Sequence, residues 1–304
     1  MKRLLVFLGV FLFGLAVSQG GSPLPVGATL ISSKIINQIT EQDLWYKSGN
    51  LRIRGRLFLP NGTARVAGVI YNHGGVSGLS NLAATRCREL ALAGLAVFAS
   101  SYRGEDGSDG KVEVAKGEID DVLAGYNWFK THPRVDAKRI AQFGTSHGAL
   151  IGLFSSARDS SFRSLVFAYG VADIVAWYEH LVRTNQLSND QLTKDTYGNG
   201  PLDRPQGFAI RMGLSAVPKI SSGMPVLIIQ GGKDVVVPPE QAKVLHETLK
   251  TNSKQSQLNI YPNSEHGFVI TQEAAAKKSK VSGLEASLAW SDIKKFLLET
   301  TEIR

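Results

Sequence analysis

Arg139-Ile140-Ala141-Gln142-Phe143-Gly144-Thr145-Ser146-His147-Gly148 is the stretch that decides the fold. It is a G-x-S-x-G pattern with an apolar run before it and a helix-like run, Ala149-Leu150-Ile151-Gly152-Leu153-Phe154, after it. A serine on so tight a strand-to-helix turn stands clear of the sheet, with backbone N–H groups around it. A side chain at either flanking glycine would collide with the neighbouring strand and helix. Without the strand and helix the same pattern is common and marks only a loop. Here Ser146 is a candidate nucleophile.

Its partners should come later in the chain in the order acid, then histidine. Pro225-Val-Leu-Ile-Ile-Gln230 is a continuous apolar run, as in a strand buried on both faces. It leads into Gly231-Gly232-Lys233-Asp234. A carboxylate just past a strand's carboxyl end lies on the rim where open α/β sheets keep their sites, so Asp234 is the candidate acid. Leu258-Asn-Ile-Tyr261 reads as the next strand and Pro262 to Gly267 as its loop. His266 is the one histidine after Asp234 on a glycine-flanked loop. His246 falls inside a helical pattern.

An acyl transfer also builds a negative oxygen, which needs two preorganised N–H donors. Val66-Ala-Gly-Val-Ile-Tyr71 reads as a strand, continued at once by Asn72-His73-Gly74-Gly75. The expected donors are the backbones of His147 and Gly75, with Gly74 as the alternative.

From Val66 onward apolar strand-like runs alternate with helical patterns. That signals an α/β fold with a mostly parallel sheet and helices on both faces. Strands are expected at about 66–71, 95–101, 139–144, 164–169, 225–230 and 257–261, and helices at about 81–93, 113–131, 147–157, 238–250 and 282–299. Leu51-Arg-Ile-Arg-Gly-Arg-Leu-Phe-Leu59 alternates as an antiparallel edge strand should. The acidic, glycine-rich segment 104–110 is too short for an EF-hand loop and reads as a solvated turn. Residues 171–220 break the alternation and carry Trp177 and Tyr178. They read as a short helical lid, with those two aromatics in the acyl pocket.

These residues also carry a resemblance. Tyr71-Asn-His-Gly-Gly75, Ser101-Tyr-Arg-Gly104, Val135-Asp136 leading into the elbow, and Pro225 to Pro239 make the chain similar to the catalytic domain of the prolyl oligopeptidase family of α/β-hydrolases. The resemblance runs from about Trp45 to about Phe296. It implies Ser146 as nucleophile, Asp234 as acid and His266 as base. Family members often carry a β-propeller before this domain. Only some two dozen residues precede it here, so the specificity that a propeller confers is not expected to carry over.

The first residues, Met1-Lys-Arg, then an apolar run to Leu15 and then Ala16-Val17-Ser18, match a signal peptide cleaved after Ser18. The run is short for a transmembrane helix, so no stable membrane insertion is expected after cleavage. The expected location is secreted or periplasmic. Residues 19–42 read as a tether and 43–304 as the hydrolase domain. The net charge of +8 falls to +6 when Lys2 and Arg3 leave, and it is spread along the chain, which argues against a nucleic-acid partner. The single cysteine, Cys87, lies in a helical run and reads as a small core residue. No metal or organic cofactor is implied.

The sequence therefore reads as an exported serine hydrolase for a small ester or short peptide, working through an acyl-enzyme. A carboxylesterase or lactone hydrolase is the alternative, and a non-catalytic binding protein on the same fold is a second.

Overall fold

The apolar runs form the centre of one nine-stranded sheet in the computed structural model, which describes residues 24–302. The strands are β1 (Ala28–Ile36), β2 (Ile39–Ser48), β3 (Leu51–Leu59), β4 (Val66–Asn72), β5 (Ala96–Ser100), β6 (Val135–Thr145), β7 (Leu165–Ala168), β8 (Val226–Gly231) and β9 (Ser256–Tyr261). Their spatial order is β1-β2-β3-β5-β4-β6-β7-β8-β9. Pairing is antiparallel from β1 to β5 and parallel from β5 to β9. Every residue of β5, β7 and β8 is buried, as expected of strands covered on both faces.

Successive side chains of β4 and β5 point to opposite faces and seed two cores. Val69, Tyr71, Val97 and Ala99 pack with helices α1 (Asn81–Leu92) and α9 (Lys280–Thr300). Ile70 and Phe98 pack with α2 (Glu118–Phe129), α3 (His147–Arg158) and α7 (Pro239–Thr251) on the other face. Cys87 is fully buried in the first of these cores, where desolvation raises its thiol pKa well above the ordinary value. The lid comprises α4 (Ile174–Arg183), α5 (Gln191–Tyr197), α6 (Pro205–Ala209) and a 3-10 turn over Gly213–Lys219.

The chain leaves β4 for β5 on one side and later reaches β6 on the other. Such a switch point opens a crevice at the strands' carboxyl ends. Asn72 pairs with Gly144 there, so the loops after β4 and β6 lie side by side.

Four expectations need correction. Residues 28–42 are not a tether. They form β1 and the start of β2, joined by a tight hairpin in which Asn37 (φ 48) and Gln38 (φ 66) both take the left-handed conformation such turns require. The pattern was hidden because most of β1 is exposed. Residues 1–18, the expected signal peptide, and 19–23 lie outside the described residues. Secondly, β3 is not an edge strand, because the β1–β2 hairpin covers it. Thirdly, the helix expected from 113 begins at Glu118. Val114 (φ 56) and Ala115 (φ 52) are left-handed, which an α-helix forbids. Finally, the acidic segment 104–110 is not simply solvated. Glu105 is buried and accepts the Gly78 N–H, and Asp106 accepts the Leu79 N–H at 3.0 Å. A further short helix, α8 (Gln272–Lys278), precedes α9.

Candidate active site

Ser146 sits between β6 and α3 at φ 51 and ψ −120, a conformation that strains a residue bearing a Cβ. The backbone packs too closely for side chains beside it. A Cβ on Gly144 would meet the backbone of Gly148 and Ala149, and one on Gly148 would meet the Asn72 carbonyl. The sequence tolerates the strain because β6 and α3, both largely buried, fix the two ends of the turn.

Three strand ends converge here. His266, on the loop after β9, has its Nε2 3.0 Å from the Ser146 Oγ. Its Nδ1–H donates to Asp234 Oδ2, on the loop after β8, at 2.7 Å. That bond selects the tautomer whose Nε2 is free to accept the Ser146 hydroxyl hydrogen. Asp234 is 2% exposed, so its charge must be met by protein donors. Its Oδ1 accepts the N–H groups of Val236 (3.0 Å) and Val237 (2.8 Å), and Gln230 Nε2 donates to Oδ2 at 3.3 Å. The loops carrying Asp234 and His266 are also tied together, Gly232 N–H donating to the Tyr261 carbonyl (2.7 Å) and Lys233 N–H to that of Ser264 (2.9 Å). From α9, Glu285 accepts the Asn263 N–H (2.9 Å) and the Ser264 hydroxyl (2.7 Å), and so fixes the start of the histidine loop.

The glycine-rich loop after β4 lies against Ser146. A Cβ on Gly74 would come within 3.1 Å of the Ser146 Cβ. His147 opens α3, and the first N–H groups of a helix have no partner within it. Its side chain joins this region together. Nδ1–H donates to the Gly75 carbonyl at 3.0 Å, and Nε2 accepts the Ala115 N–H at 2.9 Å. Those two bonds define a neutral imidazole, and burial lowers its pKa accordingly. Gly75 and His147, paired in the sequence reading, are thus neighbours.

Below this loop His73 is buried and stacks on Tyr102 at 4.2 Å. Its Nε2 is 3.6 Å from a carboxylate oxygen of Glu105. Burial lowers the His73 pKa to about 4 and raises that of Glu105 to about 8. At neutral pH the pair is an uncharged imidazole facing a carboxylic acid.

The segment 113–116, with Val114 and Ala115 left-handed, forms another wall. Glu118, fully buried, accepts the N–H groups of Glu113 (2.6 Å), Val114 (3.0 Å) and Lys116 (3.0 Å). Arg211, from the lid, donates to the carbonyls of Glu113 (2.5 Å) and Val114 (2.6 Å). The polar backbone groups that the odd geometry strands are thereby met, as burial demands.

Beside Ser146 opens a cavity of about 220 Å³. Val114, Leu150, Ile174, Trp177, Tyr197 and Val237 supply most of its apolar wall. Trp177 is where the sequence placed it. Tyr178 is not. It is buried between Tyr197 and Phe208 in the lid's own small core, because one helical step turns it about 100° away from Trp177. Sequence reading missed Glu105, Glu118, Arg211, Gln230 and Glu285. A buried carboxylate leaves no local signature. Glu118, with acidic Asp120 and Asp121 in the same first helical turn, looks like an ordinary helix start.

A mostly parallel sheet, an elbow serine at its switch point and a crevice lined by three strand-end loops define an α/β-hydrolase. Within that class the sequence profile of the prolyl oligopeptidase family matches residues 83–292, and the chain belongs to that family. It is 29% identical over 224 residues to the uncharacterized peptidase YtmA of Bacillus subtilis, covering 73% of this chain and 84% of that one. Among solved structures it is similar to Pyrococcus horikoshii acylaminoacyl peptidase, with a TM-score of 0.72 and 17% identity. That match covers 88% of this chain and 43% of the other. A putative dienelactone hydrolase from Klebsiella pneumoniae matches with a TM-score of 0.63 and 16% identity, over 86% of this chain and all of its own. These structural likenesses show the fold. Family membership gives the chain a hydrolase function of the serine peptidase or esterase type.

Proposed function

We propose that the protein is a serine hydrolase in which Ser146, His266 and Asp234 form the catalytic triad and the chemistry runs through an acyl-enzyme. The hydrogen-bonded chain from Ser146 Oγ to His266 (3.0 Å) and on to Asp234 (2.7 Å) carries this reading. Ser146 Oγ attacks the substrate carbonyl carbon while His266 Nε2 takes the hydroxyl proton. Negative charge moves to the carbonyl oxygen, which the N–H groups of His147 and Gly75 receive. Collapse expels the leaving group, which takes the proton from His266. Water then attacks the acyl-enzyme by the same route in reverse, releasing the acid and restoring Ser146. Asp234 holds the imidazole tautomer and stabilises the imidazolium.

The substrate we favour is a short peptide or acylated amino acid with an apolar group beside the scissile carbonyl. Family membership supports peptide cleavage, and the apolar 220 Å³ cavity next to Ser146 suits such a group. A second reading, a carboxylic or lactone ester hydrolase, draws on the same cavity, which is small enough for a short acyl chain. A fluorophosphonate probe is expected to label Ser146 and to leave Ser146→Ala unlabelled. Labelling that persists in the variant would place the nucleophile elsewhere. Turnover of short acyl esters beside peptide amides separates the two substrate readings.

We also propose export, with the mature chain starting at Gln19. The basic start, apolar core and Ala16-Val17-Ser18 end support it. A buried Cys87 would suit an oxidising compartment, since it offers no thiol for intermolecular pairing. N-terminal sequencing of the protein from its native cells decides it, and an intact Met1 would refute it.

A further inference from the structure

Beyond lining the acyl cavity, the lid grips the loop that carries the catalytic acid. Trp177 Nε1–H, from α4, donates to the Val236 carbonyl at 3.0 Å. One turn on, His180 Nε2 is 2.8 Å from the Val235 carbonyl. Gln186, just past the helix, adds a second donor to that carbonyl at 3.3 Å. The N–H groups of Val236 and Val237 meanwhile both point at Asp234 Oδ1. This loop therefore has its amides turned inward on the acid and its carbonyls turned outward on the lid. A peptide unit is planar and rigid, so moving the Val235 or Val236 carbonyl turns the next amide, the N–H of Val236 or Val237.

The outward side is the one the loop cannot satisfy alone. Val235 is 62% exposed and Val236 39% exposed, so little apolar packing holds either residue. The anchor of the lid is firm by contrast. At the base of α4, Gln241 of α7 accepts the N–H groups of Ala172 (2.9 Å) and Asp173 (2.8 Å), and Asp173 caps the helix. The clamp thus runs from a fixed helix base, through two side chains one turn apart, to the two peptide units that orient Asp234.

We propose that Trp177 and His180, assisted by Gln186, are positioning residues for the catalytic acid. The lid then serves substrate selection and triad geometry through one side chain. The Trp177 ring forms part of the cavity wall while its indole N–H fixes the acid loop. An acyl group that packs on the ring also steadies Asp234. This rests on Ser146, His266 and Asp234 being the triad.

The test separates hydrogen bonding from pocket shape. Trp177→Phe keeps an aromatic wall and removes the donor. His180→Leu removes the second donor, and His180→Gln restores an N–H at similar reach. Each variant is assayed on an acetyl ester, too small to fill the cavity, and on a longer acyl ester. Loosened acid geometry is expected to lower kcat about 10-fold in Trp177→Phe and in His180→Leu, and about 100-fold in the double variant, on both esters. The KM for the acetyl ester should stay within about twofold, and His180→Gln should recover most of the rate. Gln186→Ala, on an exposed turn, gives a milder loss of the same kind and an independent reading should a helix variant not fold. Unchanged kcat on the acetyl ester in Trp177→Phe, His180→Leu and Gln186→Ala, or losses confined to the longer ester, would overturn the proposal. Failure of the triad reading shows differently, as full turnover in Ser146→Ala.

Discussion

The two sides of Ser146 are held by different physics. On the side proposed to hold the oxyanion, the segment 113–116 and the loop after β4 rest on buried titratable groups. Glu118 and Glu105 are almost wholly sequestered; Glu118 gathers three backbone amides, and Glu105 accepts that of Gly78. On the acid side, Asp234 is buried but the loop around it is held from outside by Trp177, His180 and Gln186, at the solvent's edge. A hydrogen bond to a buried charge is worth more than one near water, and its loss strands groups that have no substitute. The first side is therefore built to stay fixed. The second can be adjusted at modest cost, and it faces the substrate.

The largest effects test the common centre. Ser146→Ala or His266→Ala should cut kcat by about 10⁶-fold, and the double variant should be hardly worse than either single one. Asp234→Asn should lose about 10⁴-fold through the wrong imidazole tautomer. Steady-state kinetics on one activated ester checks all of them. Near-full activity in Asp234→Asn would remove the acid side from the comparison.

Next comes the oxyanion side. Glu118→Ala removes the acceptor for three amides and frees a segment in which Val114 and Ala115 are left-handed. A loss of about 3–5 kcal/mol in unfolding free energy is expected, read by denaturant titration. A change within about 1 kcal/mol would mean that water replaces the carboxylate and that the two sides are not so different.

Trimming the lid should matter less and more selectively. Trp177→Ala should change discrimination between short and long acyl chains by about 1–3 kcal/mol in kcat/KM. Tyr178→Ala should instead loosen the lid's own core and lower Tm without that selectivity, since Tyr178 packs on Tyr197 and Phe208. Equal chain-length profiles for the two variants would erase the distinction between cavity wall and lid interior.

The last effect is in pH. Glu105 has a folded pKa near 8, raised from the ordinary 4.5 by burial. The folded state therefore holds a proton that the unfolded state releases, and stability falls as pH rises from about 4.5 to about 8. His73 has a folded value near 4, below the ordinary 6.5. Its contribution is complete above 6.5 and is lost as pH falls toward 4. Thermal melts of the wild type and Glu105→Gln should diverge with rising pH, the wild type losing ground. Parallel curves would show Glu105 ionised in the fold.

The parts of the site legible in the sequence are those that the chain builds locally. An elbow needs small residues at fixed spacing around its serine. Buried strands need unbroken apolar runs, and a strand end places the next residues of the chain on the rim. So Ser146, Asp234, His266 and the paired Gly75 and His147 are legible in the sequence as candidates. Strand limits for β4 to β9 came within a few residues, except that β6 starts earlier, at Val135. The β1–β2 hairpin was lost because an exposed strand has no apolar rhythm to read.

Periodicity, glycine spacing and chain order are properties of the chain alone. They were enough to specify a mostly parallel, two-faced sheet, a candidate nucleophile, and the order of its candidate partners. The groups that steady those residues emerge only from tertiary packing. Glu118 reaches its amides in the preceding loop by a backbone reversal that no propensity encodes. Glu285 meets Asn263 from 22 positions away, and Trp177 meets Val236 from 59. Contacts between segments so far apart depend on how whole elements pack, and packing is settled only when the entire core closes.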